Sequence, residues 1–316
     1  MIRFLVKKLL GLLAVLLAVS AVVYFLGRGV TPGDIGTFIV GVDGATPAQI
    51  AHVRHQLNLD KPIYEAYLIW LKDAARLRLG KSPVSQLSVK SQLGQELPVS
   101  LELALLAVAL TTLIGVPLGV IAATHSGKIW DSAIRVVLLS IFSVPVFVSG
   151  ILFLFLGAKY LGYFYEATYV SLGKDIGRNL RCMTLPVVAI ALPVSAFTMQ
   201  MTRSAMLDAL SEPHIQMAYA KGVKRWRIHY IHALKNALPT VLTLQGFLLG
   251  IFLGGLVLVE NIFSLPGLGR GVLTAISQRD FQLLIPQVLV IAAFFVISNT
   301  AVEIIHPMID KRVIRS

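Results

Sequence analysis

The sequence predicts an all-α, polytopic membrane protein with six transmembrane helices. The chain of 316 residues is 56% hydrophobic and only 14% charged, whereas soluble domains carry about 25% charged residues. Six windows of about 20 apolar residues, the length of a membrane-spanning helix, contain no charge, and their residues do not alternate as strands of a membrane barrel do. These windows are Leu9–Gly27, Leu103–Thr124, Val136–Ala158, Cys182–Thr202, Asn236–Val259 and Phe281–Val302.

The windows divide the chain into three predicted parts. Residues 1–28 form an N-terminal transmembrane helix, 29–98 an extracytoplasmic cap segment, and 99–316 a five-helix core with a polar loop at 203–235. The start of the chain also resembles a signal peptide. Its apolar run continues past the small residues of the candidate cleavage site, which favours an uncleaved helix. Within the cap, Thr46 followed by Pro47 is typical of a helix start.

The net charge of +12 is explained by basic residues that cluster at the membrane edges, so it does not indicate that the chain binds nucleic acid. With both termini inside, the short flanks place fourteen Lys and Arg residues in the cytoplasm and seven outside. An excess of positive charge on the cytoplasmic side is the usual orientation signal of membrane proteins. The sequence therefore predicts cytoplasmic termini and a cytoplasmic loop at 203–235.

That loop, Arg203–Lys235, is called the basic loop below. It holds six basic residues against two acidic ones. Ser211 is expected to cap a helix that starts at Glu212, and Gly222 suits a left-handed helix end. The small Ala218, one turn before Gly222, would let a partner approach closely. The basic loop is therefore either a docking surface or an amphipathic surface helix without a partner.

The second half of the basic loop carries apolar residues at helical spacing. They are Trp226, Tyr230, Leu234 and Leu238. This spacing predicts a helix whose apolar residues lie on the membrane boundary, so that the basic stretch 224–235 anchors the loop to the membrane surface.

Small and polar residues mark contacts inside the membrane. The fifth window carries glycines four residues apart, at Gly246, Gly250 and Gly254. Such rows allow close helix packing, as do Gly115 and Gly119 in the second window. The row leaves two alternatives open: packing within the chain, and a subunit interface or pathway lining. Gln245, Asn299 and Glu303 should face protein or water, and Gln245 shares with the glycine row the possible place in a subunit interface or pathway.

Neither an enzyme nor a metal site is expected on this chain. The segment 76–82 resembles the end of a phosphate-binding loop, but Ala75 stands where that motif needs its first glycine. The glycine-rich 266–271 segment fits a tight turn. The histidine pairs at 52/55 and 229/232 have no cysteine or carboxylate cluster to complete a metal site. An ion-driven secondary transporter is the less favoured alternative, because inverted repeats and midplane charges are not found.

Four motifs of the chain carry a family resemblance: the segments 57–62, 201–207, 212–222 with 232–237, and 260–270. They resemble permease subunits of ATP-binding cassette importers, in particular the dipeptide/oligopeptide branch and the first of its two paired permeases. The third is similar to the "EAA" coupling loop of these permeases. It departs from the branch at Pro213-His214, where relatives often have Asp-Tyr, and at Tyr219, where they usually have a basic residue.

The resemblance implies the type I importer permease fold and a subunit of the bacterial plasma (inner) membrane. It implies no catalysis on this chain: ATP and Mg are expected on two cytosolic ATPase subunits. A second homologous permease would complete the pore, and an extracytoplasmic binding protein would deliver di- or oligopeptides. Glutathione or a nickel complex remains an alternative cargo. The coupling residues that the resemblance implies are Glu212, Ala218, Ala220 and Gly222.

Overall fold

The structure, a computed structural model, describes residues 2–29, 60–160 and 169–309 and the isolated positions 48, 51, 54, 55 and 58. This part of the chain is helical, and its one β-type contact is an isolated bridge between Lys81 and Ser88. The helix start expected at 46–47, His52 and the basic tail after 309 lie outside the described residues.

Eleven helices of more than one turn follow one another in the described residues. They are α1 Ile2–Gly29, α2 Ile63–Ala75, α3 Val89–Thr124, α4 Ile129–Phe142, α5 Val146–Tyr160, α6 Ile176–Ser211, α7 Pro213–Ala220, α8 Leu234–Gly255, α9 Val257–Ile262, α10 Leu268–Ser277 and α11 Phe281–Ile309. A single turn, Arg225–Arg227, and a π-helical segment, Ile228–Ala233, lead directly into α8.

The structure confirms the predicted class of a polytopic helical membrane protein. Five helical stretches of the described chain are long and apolar enough to span a bilayer. They are Val6–Arg28, Val89–Thr124, Ile176–Ser211, Arg225–Gly255 and Phe281–Ile304.

The third predicted window is not one straight helix. It is divided between α4 and α5, which are bent by 94° and make a sixth span if the pair is counted as one. Pro145 stands in the break. Proline lacks an N–H and disfavours the helical conformation of the residue before it, so α4 ends at Phe142 and α5 begins at Val146.

The described chain divides into two compact units. The first contains Met1–Pro98 and Pro266–Phe294. Its apolar core joins the start of α3 to α10 and the start of α11, through Val89, Leu93, Leu268, Ala275, Leu283 and Leu284. Ser82 hydrogen-bonds to Asp280 within this unit, and burial raises the pKa of the Asp280 carboxyl.

The second unit contains Val99–Leu265 and Phe295–Ser316, and α6 is its central helix. Helix α3 approaches α6 closely at the two predicted glycines. A Cβ at Gly115 would lie 2.6 Å from the Thr198 Cβ, and one at Gly119 would lie 2.7 Å from the Met199 carbonyl oxygen. Because any side chain would collide there, the glycines set the separation of these two helices.

Candidate functional site

The basic loop contains the short helix α7, which follows α6 after one extended residue. Glu212, at φ −63° and ψ 141°, is the N-cap of α7. The expected cap by Ser211 is wrong. Because α6 continues through Ser211, its hydroxyl lies inside a helical turn and donates to the Asp208 carbonyl at 2.7 Å. The Glu212 carboxylate instead lies 2.9 Å from His214 Nδ1.

The end of α7 is the left-handed stop that the sequence predicts. Gly222 has φ +75°. Its N–H donates to the Tyr219 carbonyl at 3.0 Å, and the Val223 N–H donates to the Ala218 carbonyl at 3.1 Å. These two bonds form a Schellman motif, which satisfies the last carbonyls of a helix and favours glycine at the left-handed position.

One side of α7 is fixed to the rest of the second unit. The Ile215 side chain is fully buried. The Tyr219 hydroxyl and His229 Nε2 are 3.0 Å apart, and His214 Nε2 lies 3.2 Å from the Asn236 amide nitrogen. The Gln216 amide donates to the Leu210 carbonyl at 2.9 Å. The helix is therefore held at both ends and cannot rotate without breaking these contacts.

The opposite side of α7 is open. Met217 is 58% exposed, and Ala220 and Gly222 are exposed beside it. Of the other two residues assigned to coupling, Glu212 and Ala218 are half-buried. The chain thus presents Met217 and small residues on the open side of a helix that is fixed on its other side, with the exposed Lys221 next to Gly222. This arrangement fits a protein partner that contacts the helix closely.

The helix predicted after Gly222 is present, but its apolar residues are not aligned as their spacing predicts. The segment Ile228–Ala233 is π-helical, and a π-bulge inserts one extra residue into a helix. The four apolar residues from 226 to 238 therefore do not share one face. Trp226 and Tyr230 are more than half exposed, whereas Leu234 and Leu238 are half-buried.

The base of the basic loop is a core of small residues. It joins α3, α6 and the π-helical segment with α8, through Val120, Ala123, Met206, Ala209, Ala233 and Ala237. Alanines let helix backbones approach closely. The loop is therefore mounted on three packed helices of the second unit.

Two of the three glycines in the predicted row pack against α11. A Cβ at Gly246 would lie 1.7 Å from Val302 Cγ2, and one at Gly250 would lie 3.1 Å from Phe295 Cδ2. Gly254 is exposed. Gly246 and Gly250 thus pack within the chain, and the subunit-interface or pathway role of Gly246, Gly250, Gly254 and Gln245 stays a prediction.

We expect the Gly246→Ala variant to unfold more easily than the wild type. The added methyl group overlaps Val302, and overpacking of this kind costs about 1–3 kcal/mol. Gly255→Ala is the matched control, because a Cβ at Gly255 meets no atom within 4 Å. Reversible unfolding in mixed micelles would measure both free energies. Equal stability of the two variants would contradict the packing described for Gly246.

Three polar residues of α8 and α11 are expected to face protein or water, and Gln245 faces protein. The Gln245 side chain is buried and donates to the Thr198 hydroxyl at 3.2 Å. Asn299 and Glu303 line an open groove of about 560 Å³. The other lining residues are Met201, Thr240, Thr243, Leu244, Phe247 and Val302.

Sequence reasoning missed the buried charge of Asp131, in the second unit. Its side chain is 1% exposed and contacts Arg203 at the start of the basic loop. A signal existed, because Asp131 is the single acidic residue between His125 and Arg135. No part of the described chain brings three or more histidine, cysteine or acidic side chains together as metal ligands.

Comparisons with known proteins cover the chain from end to end. The family model described as "Binding-protein-dependent transport system inner membrane component" matches residues 115–315, and the model of the corresponding N-terminal part matches residues 1–104. A putative peptide transport system permease protein of Brucella abortus is 35% identical over 314 residues, 99% of each chain. A di/tripeptide transport system permease protein of Pseudomonas aeruginosa is 31% identical over 333 aligned positions, and a dipeptide transport system permease protein of Escherichia coli is 30% identical over 338, again 99% of each chain.

Proposed function

Since the chain belongs to the family of binding-protein-dependent transport system inner membrane components, we propose that it is the permease subunit of an ATP-driven importer of di- or oligopeptides. Similarity over 99% of each chain to permeases named for peptides supports this cargo. The observation that carries the transport role is α7, a short helix fixed by buried Ile215 with Met217 exposed on its open side.

The chain provides the membrane path, and ATP hydrolysis belongs to partner subunits. Two cytosolic ATPases hold ATP and Mg, and the open side of α7 fits a groove on one of them. When ATP closes the ATPase pair, α7 moves with its partner and the helices that carry it change from inward-open to outward-open. A ligand shifts such an equilibrium only through contacts that differ between the two states, and the surface around Met217 and Gly222 supplies those contacts.

Two further partners complete the importer. A second, homologous permease forms the other wall of the pathway, and an extracytoplasmic binding protein delivers the peptide. Both termini and the basic loop lie in the cytoplasm, which agrees with the excess of positive charge on that side. The exposed Gly254 on α8 is a candidate contact with the second permease.

Reconstitution tests the cargo and the energy source together. The four-subunit complex is placed in liposomes with its binding protein, and uptake of a labelled dipeptide, of glutathione and of a nickel complex is compared with and without ATP. Dipeptide uptake that needs ATP is the expected result. Faster uptake of glutathione or of the nickel complex would show that this solute, and not a peptide, is the cargo. Uptake by this chain alone, driven by an ion gradient, would contradict the proposal of an ATP-driven importer.

A further inference from the structure

One buried carboxylate, that of Asp131, joins three segments of the second unit. Arg203 binds it in a two-pronged contact, from Nε to Oδ1 and from Nη2 to Oδ2, both at 2.7 Å. The Gly127 N–H donates to Oδ2 at 3.1 Å, and Arg135 Nε lies 3.1 Å from Oδ1. Arg203 also donates to the Ser126 hydroxyl at 3.2 Å. The turn before α4, the first turns of α4 and the helix α6 thus meet at one side chain.

The position of Arg203 connects this contact to α7. Arg203 lies eight residues before Ser211, the last residue of α6, which is about 12 Å along a helix. Because α6 is unbroken over this distance, its last turns move as a rigid helix, and a displacement of α7 also displaces Arg203. Asp131 then passes the displacement to α4, the first half of the bent pair α4–α5.

The ion pair between Asp131 and Arg203 resists sliding of α4 along α6, which the neighbouring apolar contact does not. Helices α3, α4 and α6 also share an apolar cluster, centred on Ala122, Leu138, Ala196 and Met199. Apolar side chains constrain separation more than sliding, because their attraction is not directional. A two-pronged arginine–carboxylate contact fixes direction and register, so it resists sliding of α4 along α6.

We propose that Asp131 is a positioning residue that makes the bent pair α4–α5 move together with the basic loop. This proposal rests on the proposed function for its consequence in transport. Its structural content, that α4 keeps a fixed position relative to α7, stands separately. Removal of the carboxylate charge would leave the chain assembled but would let α7 move without α4.

The transport experiment compares three variants in the reconstituted complex. Asp131→Asn keeps the shape of the side chain and removes its charge; we expect peptide import per ATP hydrolysed to fall about tenfold, equivalent to 1.4 kcal/mol of coupling. Arg203→Lys keeps the charge without the two-pronged geometry, and we expect a smaller loss. Asp208→Asn is the matched control, since Asp208 is exposed on the same helix. Wild-type import per ATP in Asp131→Asn, or an equal loss in Asp208→Asn, would overturn the proposal.

A distance measurement separates failure of this proposal from failure of the proposed function. Spin labels are placed on α4 and α7 through Val137→Cys and Met217→Cys, two exposed positions, while the native Cys182 is buried. We expect one narrow distance distribution in the otherwise wild-type chain and a broad one with Asp131→Asn. This readout needs no transport. A distribution that stays narrow without the Asp131 charge rejects the positioning role even if peptide import is confirmed.

Discussion

We expect the Gly222→Trp variant to stay folded but to import peptide at least tenfold more slowly with ATP than the wild type. A tenfold loss corresponds to about 1.4 kcal/mol in coupling. Gly222 has φ +75°, and a Cβ there meets no atom within 4 Å. A side chain in the left-handed conformation costs about 1–2 kcal/mol, which the rest of the chain can sustain. The indole ring would occupy the open surface beside Ala220, where the ATPase is proposed to lie.

Gly222→Asn is the matched control for backbone strain. Asparagine tolerates the left-handed conformation better than other residues with a side chain, and it is much smaller than tryptophan. We expect this variant to keep most of the import activity. Equal import by Gly222→Trp and the wild type, at equal amounts of bound ATPase, would show that this surface does not couple the two subunits.

The second large effect is expected at Ile215, on the fixed side of α7. Replacing a fully buried isoleucine by alanine costs about 2–5 kcal/mol of stability. At this position the lost contacts are those that hold α7 against the second unit. We expect Ile215→Ala to release α7, so that trypsin cleaves after the exposed Lys221 and Lys224 at least tenfold faster and import falls with it. Met217→Ala, on the exposed side of the same helix, should leave the cleavage rate unchanged.

The two variants give opposite patterns if the sides of α7 have the roles described. Ile215→Ala changes both the cleavage rate of the isolated chain and the import. Met217→Ala changes only the affinity for the ATPase. Rapid cleavage in both variants would mean that α7 is held by its open side as well, and slow cleavage in both would mean that Ile215 does not anchor it.

Features set by local chemistry could be predicted from the sequence. Charge-free windows of about 20 residues identify the spans, because the bilayer thickness alone fixes that length. The end of α7 follows from Gly222, because the left-handed position of a Schellman motif has few alternatives to glycine. Pro145 indicates a disturbed helix, but the sequence does not distinguish a kink from the 94° bend between α4 and α5.

Features set by tertiary contacts could not be predicted. Ser211 fails as a cap because α6 continues through it, with Met206 and Ala209 buried in the core at the base of the basic loop. His229, in the π-helical segment, contacts Tyr219 of α7, and no local sequence pattern indicates that contact. Asp131 and Arg203 are 72 positions apart, so no local pattern connects them. The sequence therefore located α7 but not the structure that holds it.

The most direct test of the central claim is a cross-link between α7 and the ATPase. A benzophenone probe is attached through Met217→Cys in the assembled complex, where the native Cys182 is only 4% exposed and stays unlabelled. Leu87→Cys, at an exposed position of the expected outer segment, is the control. The account predicts an adduct of this chain with the ATPase from position 217, with a yield that changes on ATP binding, and none from position 87. No ATPase adduct from position 217 in a complex that imports peptide would contradict it.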